Sequence, residues 1–148
     1  MRSSFLAGFV VVLAAILPPP ASAASAQEQV VAAYAAWDQA FGTGDAAKVA
    51  AFYTDDAEFL PPTHDVMQGP AGVEKFFSGL FANGVTGHKL EVIEVMGDDD
   101  DDVIVAAAKW SAQGKDANGQ PATFGGIATH VFERQPDDSL KLKLHTFN

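Results

Sequence analysis

The chain has 148 residues, a formal net charge of −10 at pH 7 and no cysteine. So acidic a surface repels phosphate backbones and anionic membranes, which excludes nucleic acid as a partner class, and Lys141 with Lys143 is the one close basic pair. Without cysteine there is no disulfide framework, so packing must carry the stability of what is, by length, a single domain.

At the N-terminus Arg2 precedes an apolar run from Phe5 to Leu17, followed by Pro18, Pro19 and Pro20 and then small residues. This is the pattern of a secretory signal peptide. The run is too short to span a bilayer and the prolines end any helix, so no membrane contact is expected once the leader is removed. Two A-x-A sites compete, Ala21-Ser22-Ala23 and Ala24-Ser25-Ala26. Residues 1–23 are therefore read as the leader, with cleavage after Ala26 as the alternative, and the mature protein is expected in the periplasm or secreted.

From Gln27 to Phe41, Val30, Tyr34, Trp37 and Phe41 recur at helical spacing and define one apolar face. Gly42-Thr43-Gly44 stops that helix, and Asp45 caps a short second one whose apolar positions are Val49, Phe52 and Tyr53. Asp55-Asp56 then reads as a helix-to-strand turn and Ala57 to Leu60 as a brief edge strand before Pro61-Pro62. Thr63 to Gln68 reads as a turn and a second short strand. Gly69-Pro70 opens a third helix with Val73, Phe76, Phe77, Leu80 and Phe81 on one face, ending at Asn83-Gly84. Leu90–Met96, Val103–Ala112, Thr123–Phe132 and Leu140–Phe147 read as four strands of an antiparallel meander, joined by turn-rich segments. Helices first and strands afterwards indicate an α+β fold with helices on one face of a curved sheet.

The segments "AWDQAFGTGDAAKVAAFYTDDAEFLPP", "QGPAGVEKFF", "DANGQPATFGG" and "LKLHTFN" together resemble the SnoaL-like and DUF4440 branch of the NTF2-like superfamily, to which ketosteroid isomerases belong. The resemblance covers residues 27–148. It implies a cone: three helices closing on a strongly curved, mainly antiparallel sheet, with a ligand pocket between them and often a homodimer through the outer sheet face. The three catalytic positions of the isomerase relatives fall on Trp37, on Pro61 and within Ala128-Thr129-His130. None is the expected acid or base, which argues against steroid isomerisation.

Histidine is the usual acid or base near neutral pH, so the four histidines carry the remaining chemistry. His145 and His130 are the catalytic candidates, and His88 reads as loop surface. Strict alternation places His145 with Lys141 and Lys143 on an exposed face and Leu140, Leu142 and Leu144 on the core. A one-residue slip would turn His145 inward instead. His64 lies near the expected cone mouth. An amphipathic pocket is expected from Trp37, Tyr53, His64, Trp110, His145 and Phe147, in which aromatic faces hold an apolar ligand and an imidazole orients it. The same aromatics could equally fill a helix-on-sheet core. Asp98–Asp102 reads as a solvated turn, because adjacent carboxylates on an extended tract cannot converge on calcium. With no paired histidine spacing, serine-nucleophile motif or phosphate loop, no metal site and no cofactor are expected.

Three functions fit these residues. The first is an exported binder of a small apolar or amphipathic molecule. The second is a cofactor-independent isomerase, cyclase or hydrolase using a pocket histidine. The third is a dimeric assembly module whose cavity its own aromatics fill.

Overall fold

The computed structural model of the protein describes residues 23–148, so the leader assigned to residues 1–23 lies outside the described residues apart from Ala23. Helix α1 spans Ala26–Gly42 and α2 Ala46–Ala50; then come β1 (Tyr53–Leu60), β2 (Met67–Gln68), α3 (Gly69–Ala82), β3 (Thr86–Met96), β4 (Val103–Lys115), β5 (Pro121–Arg134) and β6 (Leu140–Phe147). The strands form one six-stranded sheet in the order β2-β1-β6-β5-β4-β3. Only β1 and β6 run parallel; the other neighbours are antiparallel. Among the described residues, no helix is long and apolar enough to cross a membrane.

Local chemistry explains the helix ends. Ser25 and Glu28 form a reciprocal capping box at the start of α1, and Asp45 accepts from the backbone N–H groups of Ala47 and Lys48 to start α2. Val30, Tyr34, Trp37 and Phe41 of α1 and Val73 and Phe77 of α3 are buried in one core cluster with Ile104, Ala106 and Ala108 of β4. The apolar spacing read from the sequence is thus the core face. The acidic turn Asp98–Asp102 does more than meet solvent: Asp99 Oδ1 accepts from the Ala26 N–H at 2.8 Å, an anion placed at the positive end of α1.

Four sequence expectations need correction. Tyr53 is not in the second helix but opens β1, because the Phe52 carbonyl accepts from the Leu142 N–H and draws the chain into the sheet. Asp55 and Asp56 are consequently exposed residues within β1 rather than part of a turn. Nor is β1 an edge strand, since β2 covers one side and β6 the other. This packing makes Gly69 obligatory: its φ is +63° and an added Cβ would stand 2.8 Å from the Asp55 carbonyl oxygen.

The fourth correction concerns β6. Val131 pairs with Leu144, but Phe132 pairs with Leu142, so Lys143 is an extra residue in a β-bulge. The bulge changes the phase of the strand. Leu142 and His145 are both buried, whereas Leu144 leaves the core and joins Val105 and Val131 in an apolar row across the outer sheet face. Lys143 itself pairs with Asp56.

Candidate functional site

Small residues on the inner sheet face leave room beneath the helices. On β4 the inward positions are Ile104, Ala106, Ala108, Trp110 and Ala112, and opposite them on β5 stand Gly126, Ala128 and His130. The resulting cavity has a volume of about 350 Å³. Its walls are largely aromatic, with Phe76 and Phe77 from α3, Trp110 from β4 and Phe147 from β6. Thr63, Asn83 and Lys115 line it while remaining exposed, which marks the open end.

Two imidazoles face this cavity, His145 and His88. The Tyr53 hydroxyl lies 2.7 Å from His145 Nδ1. Behind them the arrangement repeats, with the Tyr34 hydroxyl 2.7 Å from His130 Nδ1. His130 and His145 pair across β5 and β6, their ring centroids 4.4 Å apart. Burial lowers the pKa of His130 to about 3, with the charge of His88 adding to the effect. His145 is likewise held well below the usual imidazole range, by burial first and then by His130 and His88. Burial also raises the Tyr34 and Tyr53 phenols, so at neutral pH both dyads are uncharged. The buried Trp37 indole N–H meets no acceptor at full hydrogen-bond geometry, yet lies near enough to Tyr53 to favour its ionised form.

His88 is held differently. Its Nδ1 lies 2.7 Å from Asp38 Oδ1, and Asp38 Oδ2 accepts from the Leu90 N–H at 2.9 Å. A carboxylate can only accept, so Nδ1 carries a proton, and it is the Nε2 position that holds the lone pair whenever the ring is neutral. The ring packs against Trp37 and Phe41, at centroid distances of 4.7 and 4.9 Å.

Trp110 is fixed from outside the cavity. Its indole N–H donates to the Asn148 backbone oxygen at 3.1 Å, while the Asn148 side chain accepts from the Ile127 N–H. A side chain at position 126 would collide with this tie, since a Cβ on Gly126 would stand 2.1 Å from the Asn148 backbone oxygen.

Of the expected pocket residues, the structure brings Trp110, His145 and Phe147 to the cavity wall. Trp37 and Tyr53 are buried behind it, Tyr53 as the partner of His145 and Trp37 as ring packing. His130 also lies behind, on a crevice of about 10 Å³ that is too small for a ligand. His64 is exposed with φ +66°, next to the lining residue Thr63 but not itself part of the wall. His88 is no loop residue. It belongs to β3, which starts four residues before the expected Leu90 and so carries the alternation of Leu90 and Val92 back to His88. Asp38 was legible only as a carboxylate one turn after Tyr34, flanking the apolar face of α1. Among the described residues, no group of three or more His, Cys, Asp or Glu is placed to hold a metal ion.

The family model for the SnoaL-like domain matches residues 30–138. Among solved structures, a Xanthomonas campestris protein described as a calcium/calmodulin-dependent protein kinase II association domain superposes with a TM-score of 0.70 at 24% identity, covering 88% of this chain and 91% of that one. A ketosteroid isomerase-like protein from Erwinia carotovora atroseptica gives 0.69 at 19% identity, with 80% and 92% covered. A nuclear transport factor 2-like superfamily protein from Salmonella enterica gives 0.66 at 12% identity, with 83% and 89% covered. No curated protein matches the chain in sequence. At these identities the solved structures speak for the fold alone, the one shared with these NTF2-like and ketosteroid isomerase-like proteins, and the family match over most of the chain makes this protein a member of the SnoaL-like domain family.

Proposed function

We propose that the protein binds an uncharged small molecule, with an apolar ring body and one hydrogen-bond acceptor, in the cavity above His145. The carrying observation is the His145–Tyr53 dyad at the wall of an otherwise aromatic cavity. The Trp37 N–H lies near the Tyr53 oxygen, and with the Tyr53 hydroxyl donating to His145 Nδ1 the imidazole proton is on Nε2, as a donor to the ligand. A neutral carbonyl satisfies that donor. A carboxylate there would be buried away from lysine and arginine, because among the described residues Lys115 at the open end is the one Lys or Arg on the wall. The volume of about 350 Å³ suits a ligand of two or three rings.

Titrating the protein with matched pairs of bicyclic aromatic ketones and carboxylates, followed by Trp110 fluorescence and native mass spectrometry, tests this reading. The ketones should bind at least about tenfold more tightly, the scale of one satisfied buried hydrogen bond. Equal affinity for both members of each pair, or no binding by either, defeats the proposal.

A specific observation favours catalysis at the same site. Asp38 accepts from Nδ1 of His88, so the neutral ring, which lines the cavity, has its lone pair on Nε2. A carbonyl held by His145 acidifies its α-carbon, and His88 Nε2 takes that proton as the electron pair moves onto the carbonyl oxygen. Return of the proton to the same or another carbon completes an isomerisation or exchange without a cofactor.

The outer row of Val105, Val131 and Leu144, with exposed Ile127 beside it, also supports a homodimer through the sheet face. Leu140 and Leu142 face the core and take no part. Sedimentation should give a dimer that Ile127→Glu converts to monomer; a monomer in the unaltered protein at high concentration counts against it.

A further inference from the structure

We propose that the working protein begins at Ala24, released by a peptidase that cuts the Ala23–Ala24 bond and reads the small side chains of Ala21 and Ala23. The proposal rests on the reading of residues 1–23 as a secretory leader. The sequence offers a second site of the same kind three residues later, after Ala26. The fold distinguishes the two.

The N-cap of α1, Ser25, and its two neighbours Ala24 and Ala26 lie between those bonds. Ser25 Oγ accepts from the Glu28 N–H, and Glu28 Oε2 accepts from the Ser25 N–H at 2.8 Å. The Gln29 side chain donates to the Ala24 carbonyl at 2.6 Å, and the Gln29 N–H donates to the Ser25 carbonyl at 2.9 Å. Ala26 is a core residue, 3% exposed, and its N–H donates to Asp99. Arg134 then fastens this corner from β5, donating to the Asp99 and Asp101 carbonyls and to Gln29 Oε1. The acidic turn between β3 and β4 is thereby a receiving surface for residues 24–29.

A cut after Ala26 would delete the capping box and the buried Ala26, and leave the Asp99 carboxylate without its N–H partner. It would also create an ammonium group on Gln27, inside the first turn, where the helix dipole is already positive. A cut after Ala23 keeps every bond named above. Its new ammonium falls one residue before the cap.

The full chain, expressed in a bacterial host and recovered from outside the inner membrane, should give an intact mass and an N-terminal sequence starting at Ala24. A product starting at Gln27 or at any other residue overturns the assignment. An uncut chain overturns the leader reading beneath it, and the two failures are told apart by the same spectrum. In parallel, purified chains starting at Ala24 and at Gln27 should differ in Tm by about 3 °C or more, the Gln27 form melting first. Equal melting temperatures would show that the cap does not distinguish the two products and would sink the structural argument.

Discussion

Unfolding free energy should fall by about 1.4 kcal/mol per pH unit for each of two buried histidines as the pH drops below about 6.5. His130 has its folded-state pKa lowered to about 3, and His145 is displaced in the same direction, mainly because burial disfavours the imidazolium. Between the unfolded value of 6.5 and the folded value, the unfolded chain binds more protons than the folded one. Stability is therefore complete above about 6.5 and drains away as acid is added. Tyr34 and Tyr53 act at the other end: burial raises both above the ordinary phenol value of 10.0, so stability declines again once unfolded tyrosines ionise. The expected profile is a plateau from about 6.5 to about 10 with a slope on either side. Denaturant midpoints measured from about pH 5.5 to 8 test the acid limb above the range where carboxylates titrate. Replacing His130 and Tyr34 together by phenylalanine removes a hydrogen-bonded pair without orphaning either partner, and should halve the slope. A flat profile in the unaltered protein would mean that the imidazoles reach water.

Replacing His88 by asparagine should slow deuterium exchange at the α-carbon of a bound ketone by about 10²- to 10⁴-fold, the usual contribution of a positioned general base. The asparagine amide nitrogen stands where Nδ1 does, so it keeps an N–H for Asp38 while removing the ring atom that would take the proton. Ketone affinity should change little, because the proposed binding mode places the acceptor on His145 of β6 and not on His88 of β3. Asp38→Asn should lower the exchange rate by a smaller factor, since it removes the group that selects the tautomer while leaving the base in place. Loss of affinity without loss of exchange in the His88 variant would reverse these assignments. Unchanged exchange in both variants would leave the protein a binder only.

Much of the architecture was written in local periodicity. The spacing of Val30, Tyr34, Trp37 and Phe41, the Gly69-Pro70 start and the four late strands each follow from side chains within a few residues of one another. The bounds of β6 came out as read, yet its side-chain phase did not, because the bulge at Lys143 is a property of pairing with β5 rather than of β6 alone. One extra residue carried His145 from the face of Lys141 to the core. The same distinction explains Tyr53, whose apolar spacing fits a helix until the parallel neighbour β6 claims the strand.

By itself, then, the sequence determined the α+β order, the apolar helix faces and the superfamily resemblance, because those depend on residues close along the chain. Only the tertiary structure decided which imidazoles share the cavity. His88 meets Asp38 from fifty residues away, His145 meets Tyr53 from ninety-two and His130 meets Tyr34 from ninety-six. Such partnerships are set by strand register and sheet curvature, and each partner alone carries no local mark of the other.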